Sequence, residues 1–510
     1  MKAIKKSLSF MFSRLVITTV LILAQMGLIA FYILKLADYG EWIKALLMLG
    51  AVSMILFVLW RDDNPAYKIG WIMLICTLPI LGGAMYGFFG NKRPSKSLKR
   101  KLEAQEEAHW KDLPQTASFD STENTRLRET FKYVSNVGKY PAWDNSKADY
   151  YPSGERMFAN MVEDLKKAEK FIFVEFFIIN EGKMWRDMFE ILEEKAQQGV
   201  DVRVIYDDVG SIRKLPKKFA VELDEAGIKH FAFNPLKPLA SLIYNNRDHR
   251  KILVIDGDVA YSGGINVADE YINEEERFGY WKDTGIRVRG DAVWNFTVMF
   301  LNMWNAFKHT EDDYDVFRPS KEAESYRTEK GMIQPYSDTP LDNENLGENV
   351  YLEIINCARE YVYIFTPYLV IDNEMITALT LAAKRGVDVR IVTPGIPDKP
   401  LVFRLTRSYY APLMKAGVKI YEFTPGFIHA KCFLSDDKIG VVGTINMDYR
   451  SLYLHFECGT LLGGCDCLAD LKEDCLETMS RSKFIESANH RRGFFGLLLD
   501  SVLRALSPLL

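Results

Sequence analysis

Two different hydrophobic patterns divide the chain. The first is a set of long apolar runs near its start. Leu15 to Leu34 is twenty residues without a charge. A helix of that length covers about 30 Å, the thickness of a bilayer core. Ala45 to Trp60 and Ile69 to Gly90 are further apolar segments, the first between Lys44 and Arg61, the second between Lys68 and Lys92. Pro79 and the pair Gly82-Gly83 predict a kink in the third segment, while Trp60, Trp71 and Tyr86 stand near segment ends, where interfacial aromatics gather. This pattern predicts two or three transmembrane helices within residues 1–91. A cleaved signal peptide fits poorly, because the first apolar core is long and two more follow.

The second pattern starts near residue 131. Short β-rich runs alternate with amphipathic stretches, and the series occurs twice. Lys170 to Ile179 (KFIFVEFFII) leads through a helical stretch to Gly199 to Asp208 (GVDVRVIYDD), and Glu360 to Val370 (EYVYIFTPYLV) leads to Gly386 to Gly395 (GVDVRIVTPG). Glu225 to Phe233 (EAGIKHFAF) is matched by Lys415 to Phe423 (KAGVKIYEF). Apolar runs opened by Gly and joined by helices read as βαβ units, and predict an α/β fold with a largely parallel sheet in each half.

Each half then carries the same constellation. Asp248 to Asn266 reads DHRKILVIDGDVAYSGGIN and Ile428 to Asn446 reads IHAKCFLSDDKIGVVGTIN. Both hold His-x-Lys-x4-Asp, as His249, Lys251, Asp256 and His429, Lys431, Asp436. Both add a Gly seven residues after the Asp and an Asn three residues later, Gly263/Asn266 and Gly443/Asn446. One such motif arises by chance in a chain of average composition, but two with identical offsets in a duplicated frame do not.

The chemistry follows from the residue types. Strand alternation puts His249 with Lys251, and His429 with Lys431, on one face. Packed with pseudo-twofold symmetry, the halves bring two histidines, two lysines and two asparagines to one point. Cations and amide donors there suit the non-bridging oxygens of a phosphate diester. Two histidines on opposite sides of a phosphorus suit covalent catalysis: one attacks to form a phosphohistidine, and the other protonates the leaving alkoxide and then deprotonates the acceptor. Asp283 and Glu457, in the strand-like run after each motif, are candidates to orient the histidines. Asp256 and Asp436 belong either to the catalytic set or to the scaffold. No carboxylate cluster of the magnesium type and no P-loop accompanies the motifs, so neither metal nor cofactor is expected. Cys465, Cys467 and Cys475 read as reduced structural thiols rather than metal ligands.

With this duplicated motif the chain resembles the phospholipase D superfamily. Its N-terminal segments, together with YNNRDHRK around the first motif, TPYLVID at Thr366 to Asp372 and the terminal Ser507-Pro508-Leu509-Leu510, make it similar to the bacterial cardiolipin synthases of that superfamily. Leu15 to Leu34 is surplus to the two-segment pattern of that family. The resemblance implies an α/β fold of two pseudo-symmetric phospholipase D-like sandwich halves behind N-terminal transmembrane helices. It implies a phosphatidyltransferase acting on two phosphatidylglycerol molecules to give cardiolipin and glycerol, with His249 as nucleophile and His429 as acid and base. Lys251, Lys431, Asn266 and Asn446 would then hold the phosphate. A membrane phospholipase D, or a phosphatidyltransferase using another alcohol, would share every one of these residues.

The expected organisation is a membrane region at 1–91, a basic collar and linker at 92–130, a first half at 131–325, a second half at 326–488, and a membrane-associated amphipathic helix at 489–510. The collar Asn91 to Lys101 has six basic residues and no acidic one, which puts the catalytic halves on the cytoplasmic side of a bacterial membrane. Lys2, Lys5, Lys6 and Arg14 place the N-terminus on the same side, which needs an even number of spans. The loop Pro235 to Asn246 (PLKPLASLIYNN) is apolar enough to meet acyl chains. Over 510 residues the net charge is −4, from 64 basic and 68 acidic groups, which argues against a nucleic-acid partner held by bulk charge. Seven cysteines without paired spacing do not suggest a disulfide framework.

Overall fold

A computed structural model describes residues 41–90, 96–109, 125–235, 245–320, 330–487 and 494–509, apart from single positions at 213, 309, 311 and 343, with a few isolated residues elsewhere. Most of the expected span Leu15 to Leu34 and most of the loop Pro235 to Asn246 lie outside the described residues.

Each half is built on one sheet, and the two sheets repeat the same strand order. The first runs Ser146–Tyr151, Gly285–Gly290, Val259–Gly263, Lys251–Ile255, Phe171–Phe176, Asp201–Asp207, Lys229–Phe233. The second runs Met332–Asp338, Glu457–Gly463, Ile439–Gly443, Cys432–Ser435, Tyr361–Phe365, Asp388–Pro394, Lys419–Phe423, with Lys483–Phe484 added at the edge. Only the βαβαβ part of each is parallel: Phe171–Phe176 pairs parallel with Asp201–Asp207, and that with Lys229–Phe233. The remaining pairs are antiparallel, so the largely parallel sheet expected from the sequence is a mixed one. After the third parallel strand the chain returns to pair Lys251–Ile255 antiparallel with Phe171–Phe176, and a short hairpin then adds Val259–Gly263, which such a turn can join only as an antiparallel strand.

The helix Val293–Lys308 is mostly apolar and buried on every side from Val293 through Ala306, Asn295, Thr297, Asn302 and Asn305 included. Such a helix has no solvent face and belongs inside a core. Here it packs on the sheet of the first half and on Met332–Asp338 of the second. One cluster of buried side chains therefore runs through both halves, from Phe173 and Trp294 to Tyr336 and Phe433.

The third residue of each motif, Asp256 and Asp436, has a scaffolding place, the second of the two roles the sequence leaves open. Both sit in the turn that follows the lysine strand, at φ 55° and 54°, a left-handed conformation that Asp tolerates better than most residues. Asp256 accepts hydrogen bonds from the backbone N–H of Glu169, Lys170 and Phe171, at 2.8, 2.7 and 2.9 Å. Asp436 does the same for Arg359, Glu360 and Tyr361. Each carboxylate thus ties the hairpin turn to the start of the central parallel strand. It lies five residues from its motif lysine along an extended strand, about 16 Å away. Alanine at either position is expected to cost about 3 kcal/mol in urea unfolding while the folded fraction keeps its turnover per molecule; turnover lost at full stability would return these residues to the reaction.

Residues 41–90 form the helices Glu41–Trp60, Pro65–Thr77 and Pro79–Phe89. Among the described residues no helix is long and apolar enough to cross a membrane. The uncharged part of the first, Ala45 to Trp60, covers about 24 Å at the rise of an α-helix. Pro79 splits the last apolar segment in two, as the kink signal predicted, leaving two helices each too short to span. The expected transmembrane helices are therefore not found within residues 41–90. The three helices pack around Val58, Tyr67, Trp71, Ile75 and Tyr86. They leave Trp42, Leu46, Leu49, Leu56 and Ile69 exposed. The helix Phe494–Leu506 docks beside Pro65–Thr77 and on the helix Pro400–Ser408. There Arg404 Nε donates to Asp500 at 2.6 Å. Its other face exposes Leu497, Leu498, Leu499 and Val502.

Candidate active site

The halves meet through two short cross-pairings, and these position the histidines. Gly426–Ile428, just before His429, runs parallel to Tyr280–Lys282 of the first half. The His429 N–H donates to the Lys282 carbonyl at 2.7 Å. In the mirror arrangement the His249 N–H donates to the Phe456 carbonyl at 2.8 Å and the Phe456 N–H to the Arg247 carbonyl at 2.9 Å. Each histidine segment is thereby stitched to the strand of the opposite half that bears the candidate acid.

The acids consequently support the histidines crosswise. His249 Nδ1 lies 2.9 Å from both carboxylate oxygens of Glu457, and His429 Nδ1 lies 2.8 Å from Asp283 Oδ2. Both carboxylates are fully buried. A carboxylate can only accept, so each Nδ1 carries the proton and each Nε2 is left with its lone pair. Glu457 is held in turn by the hydroxyls of Thr444 and Ser451. The Asp283 Oδ1 accepts from the Thr284 N–H at 2.8 Å.

Lys251 and Lys431 are buried beside their histidines, each Nζ donating to the carbonyl of the histidine two residues earlier. Burial pushes Lys251 down to about 8 and Lys431 down to about 7, against the pull of Glu457 and Asp283 respectively. Burial, then Lys431, brings His429 down to about 4, and burial, then Lys251 and Lys431, holds His249 well below its ordinary value. Burial works to raise Asp283, but His429 and Lys431 outweigh it and hold the group below the usual carboxylate range. Without ligand, burial disfavours the charge on both lysines, and a phosphodiester anion would favour it.

A cavity of about 500 Å³ joins these groups. His249, His429, Asn266 and Asn446 line it, with Lys399 and Arg450 as further cations. Asn266 donates from Nδ2 to the Tyr271 hydroxyl at 2.7 Å and accepts from the Ile178 N–H at 3.0 Å, whereas Asn446 Oδ1 is buried without a hydrogen-bond partner. The walls are aromatic: Phe177 lies 4.9 Å from the His249 ring, and Tyr271, Trp281 and Phe427 lie 5.4–5.9 Å from the His429 ring. Trp281 and Phe427 stand two residues before Asp283 and His429, so strand alternation alone would have placed them on the same face.

The ring of His455, two residues before Glu457, is 5.5 Å from the His249 ring and lines the cavity. By spacing, His249, His455 and Glu457 form a group fit for a metal ion. Glu457, however, already accepts from His249, Thr444 and Ser451. Cys465, Cys467 and Cys475 are free and buried.

Comparison with known proteins agrees with this geometry. The family described as "Cardiolipin synthase, PLD-like domain" matches residues 161–285 and 351–474, and "Phospholipase_D-nuclease N-terminal" matches residues 46–91. A cardiolipin synthase of Alkalihalophilus pseudofirmus is 33% identical over 91% of this chain and 92% of its own length. An uncharacterized protein of Streptococcus mutans is 46% identical over 90% of this chain and the whole of its own length. In three dimensions the chain is similar to the phosphatidylserine synthase of Haemophilus influenzae, with a TM-score of 0.55 at 15% identity over 75% of this chain and 97% of that one. The chain belongs to the cardiolipin synthase family of the phospholipase D superfamily.

Proposed function

We propose that the protein transfers a phosphatidyl group from one phosphatidylglycerol to another, giving cardiolipin and glycerol. The observation that carries this reading is the crossed pair of histidine–carboxylate couples facing one cavity. The choice of lipid comes from the cardiolipin synthases to which the chain is similar.

In the first step His249 Nε2 attacks phosphorus in line, its Nδ1–H held by Glu457. His429, protonated once the diester anion has entered, gives its Nε2 proton to the departing glycerol oxygen. In the second step His429 takes a proton from the hydroxyl of the second lipid, whose oxygen displaces His249. Lys251, Lys431, Asn266 and Asn446 hold the non-bridging oxygens through both steps.

The lipid reaches this site from a membrane surface. Ser507, in the turn after the helix Phe494–Leu506, lines the reaction cavity. The exposed leucines of that helix adjoin the apolar helices of residues 41–90. The cavity mouth therefore borders an apolar face able to lie in a lipid surface while headgroups enter. The basic run ending at Lys101 favours the cytoplasmic leaflet.

Purified protein given phosphatidylglycerol alone is expected to yield cardiolipin and glycerol in equal amounts by mass spectrometry. Phosphatidic acid as the main product would mean that water is the acceptor and would replace this reading with that of a phospholipase D.

A further inference from the structure

A second cavity, of about 340 Å³, lies behind the reaction site and shares His455 with it. It occupies the joint between the apolar helices and the second half. Among the described residues, eight carboxylates line it and no lysine or arginine does. Two of them, Asp62 and Asp63, come from the link between the first two apolar helices. The other six come from the second half, among them Asp338, Glu348 and Asp372. The joint is pinned by Asn64, whose Nδ2 donates to Asp372 at 3.1 Å and to the Tyr453 hydroxyl at 2.9 Å.

Bringing acids together from two separate parts of the chain costs free energy unless a cation enters. Among the described residues, Arg61 pairs with Asp63 at 2.9 Å, and Lys99 is engaged with Glu103 at 3.1 Å and the Leu341 carbonyl at 2.7 Å. Two buried groups on the wall point to a ligand. Glu348 is 3% exposed, and its Oε1 has no hydrogen-bond partner. His455 has a side chain 10% exposed, and its Nε2 has none either.

We propose that this cavity binds a divalent cation of the hard, oxygen-preferring class, calcium or magnesium, which ties the apolar helices to the catalytic second half. Carboxylate and carbonyl oxygens select such ions. A cavity of about 340 Å³ has room for an ion and several waters at roughly 30 Å³ each, so part of the coordination is made through water. Because the ring of His455 stands 5.5 Å from that of His249, the ion lies one side chain away from the reaction site.

The test uses the full chain in detergent after EDTA treatment. Calcium or magnesium is expected to raise the melting temperature. Terbium is expected to give emission on tyrosine excitation, sensitised by Tyr453, and calcium to displace it. Glu348→Gln, and Glu348→Gln with Asp62→Asn, should lose at least tenfold in terbium affinity and lose the thermal shift. In EDTA they should melt at or above the wild-type temperature, which separates loss of the ion from loss of the fold. No cation-dependent shift in the wild type, or the same shift and emission in the variants, overturns the proposal. Neither readout requires turnover, so failure here leaves the transferase reading untouched, and the reverse also holds.

Discussion

His249→Ala and His429→Ala each lower cardiolipin formation by about 10⁴-fold or more, measured as release of labelled glycerol from phosphatidylglycerol. The size follows from the roles. Without His249 no phosphohistidine forms, and without His429 the glycerol oxygen must leave as an alkoxide; losses of that order follow removal of a nucleophile or its proton partner in acyl-transfer enzymes. The two variants differ in a second measurement. A diester with a good leaving group, such as a nitrophenolate, needs no acid, so His429→Ala should still give one rapid burst and then stall with a phosphatidyl group on His249. His249→Ala should give no burst. An adduct found on His429 in the His249 variant would exchange the two roles, and full turnover by either variant would end the two-histidine mechanism.

The second large effect concerns the carboxylates. Glu457→Gln and Asp283→Asn keep size and shape but let an amide present N–H to Nδ1, which favours the wrong tautomer and removes the stabilisation of a charged ring. A fall in kcat of about 10²–10⁴-fold is expected, with KM little changed because neither group is placed on the lipid. Glu457→Gln should depress the burst step, since it supports His249. Asp283→Asn should spare the burst with the activated diester and slow only the step that needs His429. Equal effects on both steps would show that the acids act on the fold and not each on its own histidine.

These crossed partnerships mark where sequence reasoning stops. Asp283 and Glu457 were found by their place after each motif, yet nothing in the spacing says that Glu457 serves His249, 208 residues away. That assignment rests on the pairing of Gly426–Ile428 with Tyr280–Lys282 and on the bridge between Asp248 and Phe456. His455 has no counterpart in the first half, and only its place two residues before Glu457 hints from the sequence that it lies near the site. The motif aspartates stay open between reaction and scaffold on sequence alone. They recur in both halves, but recurrence marks whatever both halves need, including a turn tied by three backbone N–H groups.

The apolar segments show a different limit. Hydropathy located the helices of residues 45–60 and 69–90. Whether each is long enough to span depends on where the chain bends, and Pro79 bends it. The C-terminal stripe Leu498, Leu499 and Val502 was legible as amphipathic, while the anchoring of its polar face by Arg404 on Asp500 came only from the folded chain.

The order of residues alone determined the duplication, the chemical groups in each copy and the class of reaction they suit, because strand and helix periods are local properties of the backbone. Only the tertiary structure decided which acid backs which histidine, that the aspartates hold turns, and that carboxylates from two parts of the chain crowd one cavity. Those outcomes depend on contacts between segments 75 to 308 residues apart, brought together by the folded chain and not by any local pattern.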